Sequence, residues 1–303
     1  MRPTVSIIIP VFNGINFFEE ALKSVVQQSY NNIEIVVVND GCKHDNYYKK
    51  IIKKYISYKD IRYFKFEKNK GVSEALNYGI LNSNGKFVNW LSHDDYFHKD
   101  KILNQINFLK KSKIKPKIIS CNFISEDKNK IFKKKHDISS LNNSSNQQLW
   151  LFINNKLHGC SLLVQRDVLI KHKLFKTFLI NTQDYDLWFK ILKNYKVSNL
   201  NQYLLHSRKH KDQGTILRKK SVNREENILY KKILLSFKRN YKFSERDSLN
   251  IYLSLINRGL FDVANFYLNI FDVNIKRYFL YITMTHIRYR LRLFRNLLIN
   301  FVL

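Results

Sequence analysis

The chain has 303 residues, 45% of them hydrophobic, and its 53 basic and 24 acidic residues give a formal net charge of +29. This hydrophobic content excludes a disordered chain, and three cysteines without metal-like spacing argue against a zinc site and against a disulfide framework. The charge favours a polyanionic partner, namely nucleic acid, an anionic membrane face or phosphorylated substrates.

Strand-like and helical runs alternate along the first part of the chain. The β-rich runs are Thr4–Ile9, Ile33–Val38, Ile61–Phe66 and Lys86–Leu91, and helical runs follow them at about Ile15–Gln28, Asn46–Ser57, Ser73–Leu81 and Lys99–Lys111. Short strands separated by helices of this length are typical of βαβ units. The sequence therefore predicts an α/β fold with a mainly parallel sheet flanked by helices.

Two adjacent carboxylates, Asp94 and Asp95, follow the fourth predicted strand. In an open parallel sheet, ligands bind in the crevice outside the carboxyl ends of the strands. Two acidic side chains at that edge suit a hard divalent cation, which holds a diphosphate oxygen on its other side. The alternative is a structural role, in which Asp94 caps a helix that begins near Tyr96.

Glycine-rich phosphate-binding loops are missing from the sequence. After the first strand the chain reads Pro-Val-Phe-Asn-Gly, and neither G-x-G-x-x-G nor G-x-x-x-x-G-K-[ST] occurs. A generic Rossmann dehydrogenase and a P-loop nucleotidase are therefore excluded. The negative charge of a bound phosphate must therefore be neutralised by other groups, and a metal ion held by the acidic pair would do so.

Six sequence blocks resemble the motifs of family-2 glycosyltransferases, in the family's order. They are Val5–Gly14 (VSIIIPVFNG), Ile35–Gly41 (IVVVNDG), Asn69–Gly79 (NKGVSEALNYG), Trp90–Asp95 (WLSHDD), Thr182–Lys190 (TQDYDLWFK) and Ser207–Thr215 (SRKHKDQGT). The resemblance implies a GT-A fold, a nucleotide-diphosphate sugar as donor, taken to be a UDP-hexose, and Mg²⁺ or Mn²⁺ as cofactor. It assigns residues 1–217 to the catalytic domain, with a nucleotide-sugar-binding half (1–115) and an acceptor half (116–217).

The resemblance puts the donor nucleotide at the ends of the first strands. Asp40 is expected to accept a hydrogen bond from uracil or ribose, and an Asx-type turn with Gly41 is its alternative. Phe12 is expected to stack on the base, and a core position is its alternative. The donor-binding candidates are Pro10, Phe12, Asn13, Asp40, Asn69, Gly71, Asn77, Ser92, His93 and Asp94.

The acidic motif departs from the family pattern, because Ser92-His93-Asp94-Asp95 stands where Asp-x-Asp-Asp is usual. Mg²⁺ keeps several waters and takes only one or two protein carboxylates, so the remaining pair is sufficient. The metal candidates are Asp94, Asp95 and His210. For His93 the alternative is a turn residue that points to solvent.

Glycosyl transfer needs a base for the acceptor hydroxyl and stabilisation of charge on the departing diphosphate. Asp184 matches the family's base, although Gln183 replaces the usual Glu before it. Asp186 is the alternative base, and because positions two apart on a helix do not share a face, only one of the two should point into the site. Gly159, Gln183, Arg208 and Gln213 are diphosphate or acceptor candidates; the alternative for the late basic stretch is a solvated loop.

Residues 218–303 change in character, with 17 basic and 6 acidic residues and no proline. They are predicted to form successive amphipathic helices, the last at about Ile275–Leu303. A basic amphipathic helix is typical of the interface of an anionic membrane. The alternative is a helical subdomain that packs on the catalytic core or mediates an oligomer.

The sequence as a whole predicts an inverting, metal-dependent hexosyltransferase for cell-surface polysaccharide, lipopolysaccharide or lipid-linked oligosaccharide. No signal pattern or apolar run of roughly 18 residues is found, so we expect a cytoplasmic protein, peripheral at the membrane. A processive polysaccharide synthase is the alternative enzyme, although its Gln-x-x-Arg-Trp segment is absent. A basic nucleic-acid-binding protein is disfavoured, because no nucleic-acid motif occurs.

Overall fold

A computed structural model describes residues 5–127 and 132–273. These residues form two compact units, one of residues 5–148 and 156–217, and one of residues 149–155 and 218–273. The first unit is built on a nine-stranded sheet. Its strands are β1 Val5–Val11, β2 Ile33–Asn39, β3 Asp60–Lys65, β4 Phe87–Trp90, β5 Tyr96–Phe97, β6 Ile118–Asp127, β7 Lys133–His136, β8 Leu163–Gln165 and β9 Val197–Lys209.

The sheet is mixed, with a parallel half that comes first in the chain. Strand β1 lies between β2 and β4 and is parallel to both, and β3 extends this half beyond β2. Strand β8 then runs antiparallel between β4 and β6, and β6 pairs in parallel with β9. The short β5 and β7 are antiparallel to β9 and β6. The α/β fold class is confirmed, and the parallel arrangement holds for the half that contains β1–β4.

The helices of the chain are α1 Phe18–Val26, α2 Asp45–Tyr55, α3 Val72–Leu81, α4 Lys101–Lys111, α5 Gln147–Asn154, α6 Arg166–Lys171, α7 Gln183–Ile191, α8 Gly214–Leu217, α9 Lys219–Asn240, α10 Glu245–Asn257 and α11 Phe261–Phe271. Every residue of β1 and β2 is buried, as expected for strands covered on both faces. Helix α1 buries Phe18, Ala21, Leu22 and Val25, a spacing that forms one helix face.

The predicted elements of residues 4–111 are confirmed, with bounds that agree within three residues. The capping role considered for Asp94 is wrong. Tyr96 and Phe97 form strand β5, and the next helix begins only at Lys101.

The second unit contains α9, α10 and α11, which confirms the helical prediction for this part of the chain. Helix α9 buries a stripe that includes Tyr230, Leu234 and Phe237. The Tyr230 hydroxyl donates to the Asn155 side chain at 2.9 Å, and Ser254 donates to the carbonyl of Ile153 at 2.5 Å. No helix among the described residues has both the length and the apolar composition to cross a membrane. The predicted helix at Ile275–Leu303 lies outside the described residues.

Lys101 is a buried lysine in the core of the first unit. Its side chain is inaccessible to solvent, and Nζ lies 3.2 Å from Gln105 Oε1 and 4.2 Å from the centre of the Phe97 ring. No carboxylate of the described residues forms an ion pair with it. Burial therefore lowers the pKa of Lys101 to about 8.

This lowered pKa predicts a specific dependence of stability on pH. The charged form is disfavoured in the folded protein, so Lys101 destabilises the fold fully below pH 8 and progressively less as the pH rises towards 10.5. Lys101→Met should therefore raise the free energy of unfolding at pH 7 by on the order of 2 kcal/mol, and the gain should shrink between pH 8 and 10.5. Denaturant unfolding across this pH range measures it.

Lys99→Met is the matched control, because Lys99 is exposed and should show no such pH dependence. A stability difference for Lys101→Met that stays constant with pH would contradict the prediction.

Candidate active site

The acidic pair sits in a tight turn directly after β4. The backbone N–H of Leu91 donates to the Ile8 carbonyl on β1, and that of Asp95 donates to the Ser92 carbonyl at 3.1 Å. Asp95 is buried, whereas Asp94 is only partly buried. The turn therefore separates an inner carboxylate from an outer one.

The inner carboxylate ties the turn to β9. Oδ1 of Asp95 accepts a hydrogen bond from the Arg208 backbone N–H at 3.0 Å, and the Ser207 hydroxyl also donates to this carboxylate. Nε2 of His158 lies 3.7 Å from Oδ2. Burial, and then the neighbouring Asp94 charge, raise the pKa of Asp95 well above its usual range. Asp95 is thus placed to hold the turn in position.

The outer carboxylate meets the end of β9 and the residue after it. Oδ2 of Asp94 lies 3.1 Å from Nε2 of His210, and the Arg208 guanidinium donates to the Asp94 carbonyl at 2.6 Å. Arg208 is also paired with Glu20, and its guanidinium lies 4.5 Å from the centre of the Tyr96 ring. The structure therefore brings Asp94 together with Arg208 and His210, which lie more than a hundred residues after it in the sequence.

Gln213 stabilises the backbone at Arg208, because its side-chain amide donates a hydrogen bond to the Arg208 carbonyl at 2.6 Å. His93 does not point to solvent as its alternative reading required. Its ring is largely buried against Gly14, where an added Cβ would lie 2.0 Å from His93 Cδ2. Burial lowers the pKa of His93, so its ring is a neutral wall beside the acidic pair.

The ends of β1 and β2 present the predicted nucleotide residues. Phe12 is 43% exposed, which excludes the core position considered for it. Asp40 is buried, and its two carboxylate oxygens accept the backbone N–H groups of Lys70 and Gly71 at 2.7 and 2.9 Å. Asn13, with a φ of 52°, accepts a hydrogen bond from the Cys42 thiol at 3.0 Å. Asp40 thereby fixes the loop before α3, and each of its oxygens keeps a second lone pair.

Three further candidates surround this loop. Asn69 accepts from the Gly71 backbone N–H at 3.1 Å, and Gly71 has a φ of 91° with open space where a Cβ would stand. Asn77 instead bonds the backbone N–H and carbonyl of Phe175, at 3.0 and 2.8 Å. Asn77 therefore anchors the segment that leads towards α7.

Asp184 lies in the first turn of α7 and faces the segment His158-Gly159-Cys160. Its Oδ2 would be 2.8 Å from a Cβ at Gly159, and the Trp90 ring would be 2.7 Å from the same Cβ. Only glycine leaves room for these two groups. Burial raises the pKa of Asp184 to about 6, so this carboxyl changes its protonation state close to neutral pH.

Asp186 points elsewhere, as the facing argument predicted. It forms ion pairs with Lys176 at 3.0 Å and with Lys190. Gln183 carries a buried Oε1 without a hydrogen-bond partner among the described residues. Asp184 is therefore the carboxylate of this block that is free of cationic partners within the described residues.

The segment His158-Gly159-Cys160 connects the acidic pair with Asp184, and sequence reasoning gave no role to His158 or Cys160. One ligand atom each of Asp95, His158 and Cys160 lie within 4.8 Å of one another. However, the Cys160 backbone N–H donates to Nδ1 of His158 at 3.2 Å, which leaves the ring proton on Nε2, 3.2 Å from Ser207 Oγ. Burial also raises the pKa of the Cys160 thiol. Raised pKa values of Asp95 and Cys160 and a proton on Nε2 of His158 disfavour this trio as ligands, so Asp94 with His210 is the better donor set for a cation.

Comparisons with known proteins identify the family of this chain. The family model described as glycosyl transferase family 2 matches residues 6–173. An uncharacterized glycosyltransferase of Rickettsia felis is 40% identical over 256 residues, which cover 83% of this chain and 42% of that protein. The chain therefore spans less than half the length of that relative.

Two further similarities extend over most of both proteins. The Escherichia coli UDP-Glc:alpha-D-GlcNAc-diphosphoundecaprenol beta-1,3-glucosyltransferase WfaP is 28% identical over 229 residues, or 74% of this chain and 85% of that protein. The crystal structure of S. aureus TarS 1-349 in complex with UDP-GlcNAc has a TM-score of 0.62 at 15% identity, and the match covers 89% of this chain and 90% of that one. By its family match and its GT-A-type fold, this chain belongs to glycosyl transferase family 2.

Proposed function

We propose that this protein transfers a hexose from a UDP-sugar to a hydroxyl group of a glycan acceptor, with inversion at the anomeric carbon. The observation that carries the proposal is the placement of two acidic groups on either side of one segment. Asp184 lies against Gly159, and the Asp94–Asp95 turn lies against His158 and Cys160. One carboxylate is thus available to the acceptor, and a separate one to the donor diphosphate.

Asp184 is the proposed general base. Its pKa of about 6 leaves it ionised at neutral pH, yet basic enough to take a proton from a hydroxyl group as the oxygen attacks. The acceptor oxygen forms its bond to the anomeric carbon while the bond from that carbon to the diphosphate oxygen breaks. A single displacement of this kind inverts the configuration, and the proton ends on Asp184.

Mg²⁺ or Mn²⁺ is the proposed cofactor, and the residues present fit it. Asp94 offers a partly buried carboxylate, and His210 offers an imidazole 3.1 Å from it, with a buried Nδ1 that has no partner among the described residues. Such an ion, when bound, stabilises negative charge on the leaving diphosphate. Arg208 adds a buried positive charge beside the Asp94 carbonyl, and Asp95 keeps the turn in place.

The donor end of the site suits a nucleoside. Phe12 presents an exposed ring, and Asp40 and the Gly71 loop lie at the carboxyl ends of the parallel strands, where ligands bind in this class of sheet. The E. coli relative is named for UDP-Glc, and the S. aureus structure holds UDP-GlcNAc. Both names support a UDP-hexose.

The acceptor and the location are proposed together. The E. coli relative is named for a diphosphoundecaprenol-linked acceptor, which supports a lipid-linked or surface glycan. We assign catalysis to residues 1–217 and membrane contact to residues 218–303. On α9 one face exposes, at helical spacing, Arg224, Ile228, Lys232, Leu235 and Arg239, and Glu225 lies at the edge of this face. Ile228 and Leu235 are 62% and 45% exposed, so this stripe combines cations with apolar groups, as interfacial helices do.

The first prediction concerns the metal. Asp94→Ala and His210→Ala should each abolish the strengthening of UDP binding by Mg²⁺ or Mn²⁺, a loss of about tenfold or more in affinity, because each removes a ligand of the ion. Titration calorimetry with metal and with EDTA measures this. Asp167→Ala, at an exposed carboxylate, is the control. UDP affinity that is the same with metal and with EDTA in the unmodified protein would contradict the proposal.

The second prediction separates chemistry from binding. Asp184→Asn should lower turnover by about 10²–10⁴-fold and leave UDP-sugar affinity nearly unchanged. Because the base works deprotonated and its pKa is about 6, the activity of the unmodified protein should rise with pH through 6 and then level off. Asp186→Asn is the control, since Asp186 is occupied by two lysines. Loss of turnover in that variant alone would move the base to Asp186.

The third prediction concerns the membrane. Changing Arg224, Lys232 and Arg239 to Glu should lower binding to phosphatidylglycerol vesicles by at least about 100-fold, since each cation near an anionic surface contributes on the order of 1 kcal/mol. The control changes Lys50, Lys53 and Lys113 to Glu, which alters net charge equally at exposed positions of the first unit. Vesicle co-sedimentation measures both. An equal loss of vesicle binding in the two triple variants would show that only net charge matters, and would refute the proposed role of the α9 face in membrane contact.

A further inference from the structure

One face of the sheet beyond the proposed active site is rich in lysine. Strand β7 pairs with β6 so that His136 lies opposite Phe123 and Lys134 opposite Ser125. On the other side of β6, Ser207 lies opposite Ser125 and Lys209 opposite Asp127. Directly paired residues of neighbouring strands point to the same face of a sheet, and alternate residues share it. This lysine face therefore contains Phe123, Ser125, Asp127, Lys134, His136, Ser207 and Lys209.

The lysine face is continuous with the proposed active site. His158, beside Asp95, lies 3.2 Å from Ser207 Oγ, and its ring centre is 5.0 Å from that of Phe123. Phe123 in turn stacks on His136, with ring centres 4.3 Å apart and planes only 5° from parallel. Since His158 precedes the glycine that Asp184 contacts, contacts lead from the proposed base through His158 and Phe123 to His136, which lies on the same strand as Lys134.

Three exposed lysines, Lys134, Lys156 and Lys209, act on His136 without forming ion pairs with the nearby acids of the described residues. Burial, and then the charges of these lysines, lower the pKa of His136 to about 4. Asp127 accepts the Phe132 backbone N–H at 3.0 Å, and Asp137 accepts the Ser139 backbone N–H at 2.7 Å. Neither carboxylate forms an ion pair with these lysines within the described residues. Three exposed ammonium groups thus lie near a neutral His136, which stacks on Phe123.

We propose that Lys134 and Lys209, with Lys156, bind a phosphoryl group attached to the acceptor sugar. The inference rests on the proposed function and identifies the chemical class of its acceptor. The donor diphosphate is assigned to Asp94, Arg208 and His210. The three lysines form a second cluster of cations, on the acceptor side, and such a cluster would bind a second anion.

The test compares a neutral acceptor with two phosphorylated acceptors. Transfer is measured to a hexose as its methyl glycoside, as its 1-phosphate, and as an alkyl 1-diphosphate. Lys134→Ala with Lys209→Ala should lower kcat/KM about 10–100-fold for the phosphorylated acceptors and leave the methyl glycoside unchanged, because hydrogen bonds to charged groups are lost. A larger loss for the diphosphate than for the monophosphate points to a lipid diphosphate as the source; equal losses point to a phosphate on the sugar itself.

The matched control is Lys135→Ala with Lys113→Ala, which removes the same charge. Lys135 is the next residue of β7 and points to the opposite face, where it contacts the Tyr203 ring. An equal loss in both double variants, or a loss that is the same for neutral and phosphorylated acceptors, would overturn the inference.

A binding measurement keeps the inference testable apart from the proposed reaction. Inorganic pyrophosphate is titrated in EDTA, where the proposed metal-dependent diphosphate site does not contribute. The Lys134/Lys209 variant should bind it about tenfold or more weakly than the unmodified protein and the control. Equal affinity for pyrophosphate in the three proteins would overturn the proposed phosphoryl-binding role of the lysine face. If the Lys134/Lys209 variant does bind pyrophosphate more weakly but no donor supports transfer by the unmodified protein, only the proposed reaction is overturned.

Discussion

The hydrogen bond from the Arg208 backbone N–H to Oδ1 of Asp95 joins the two halves of the first unit at the candidate site. It fixes the turn after β4, which belongs to the parallel half of the sheet, to β9, which belongs to the mixed half. Once this contact forms, Arg208 reaches the Asp94 carbonyl and His210 reaches the Asp94 side chain. This hydrogen bond, together with the pairing of β5 with β9, therefore positions the donor set proposed for the metal ion.

The two adjacent carboxylates differ in burial and therefore in their proposed roles. Asp95 lies inside, where desolvation raises its pKa, and the groups around it are hydrogen-bond donors. Asp94 is the more accessible of the two, so the charge that a cation needs can reside on it. Two ionised carboxylates this close would repel each other, and an inner acid with a raised pKa reduces that cost. The same buried surroundings keep His158 neutral, since burial lowers its pKa to about 4.

Glycine at position 159 allows Asp184 and Trp90 to pack closely against the segment that contacts the acidic pair. A side chain there would collide with Trp90 and with Asp184, so the segment can pass between the acidic turn and α7 only without one. Asp184 then lies in apolar surroundings beside Trp90, and burial alone raises its pKa to about 6. Its neighbour Asp186, two residues along the same helix, is neutralised by lysines and keeps a structural position.

The sequence by itself determined the strands and helices of the first part of the chain, the helical character of residues 219–271, and the family, because periodicity and short motifs are local properties. It also pointed to Asp94, Asp184 and His210 one by one. Only the tertiary structure decided that Asp94 meets His210 and that Asp95 turns inward. It also decided that His158 and Cys160 join the acidic pair to Asp184, and that Asn77 is engaged by Phe175. These contacts link residues about 25 to 116 positions apart. The pairing of β4, β8, β6 and β9 that creates them depends on packing over the whole sheet, which no local pattern records.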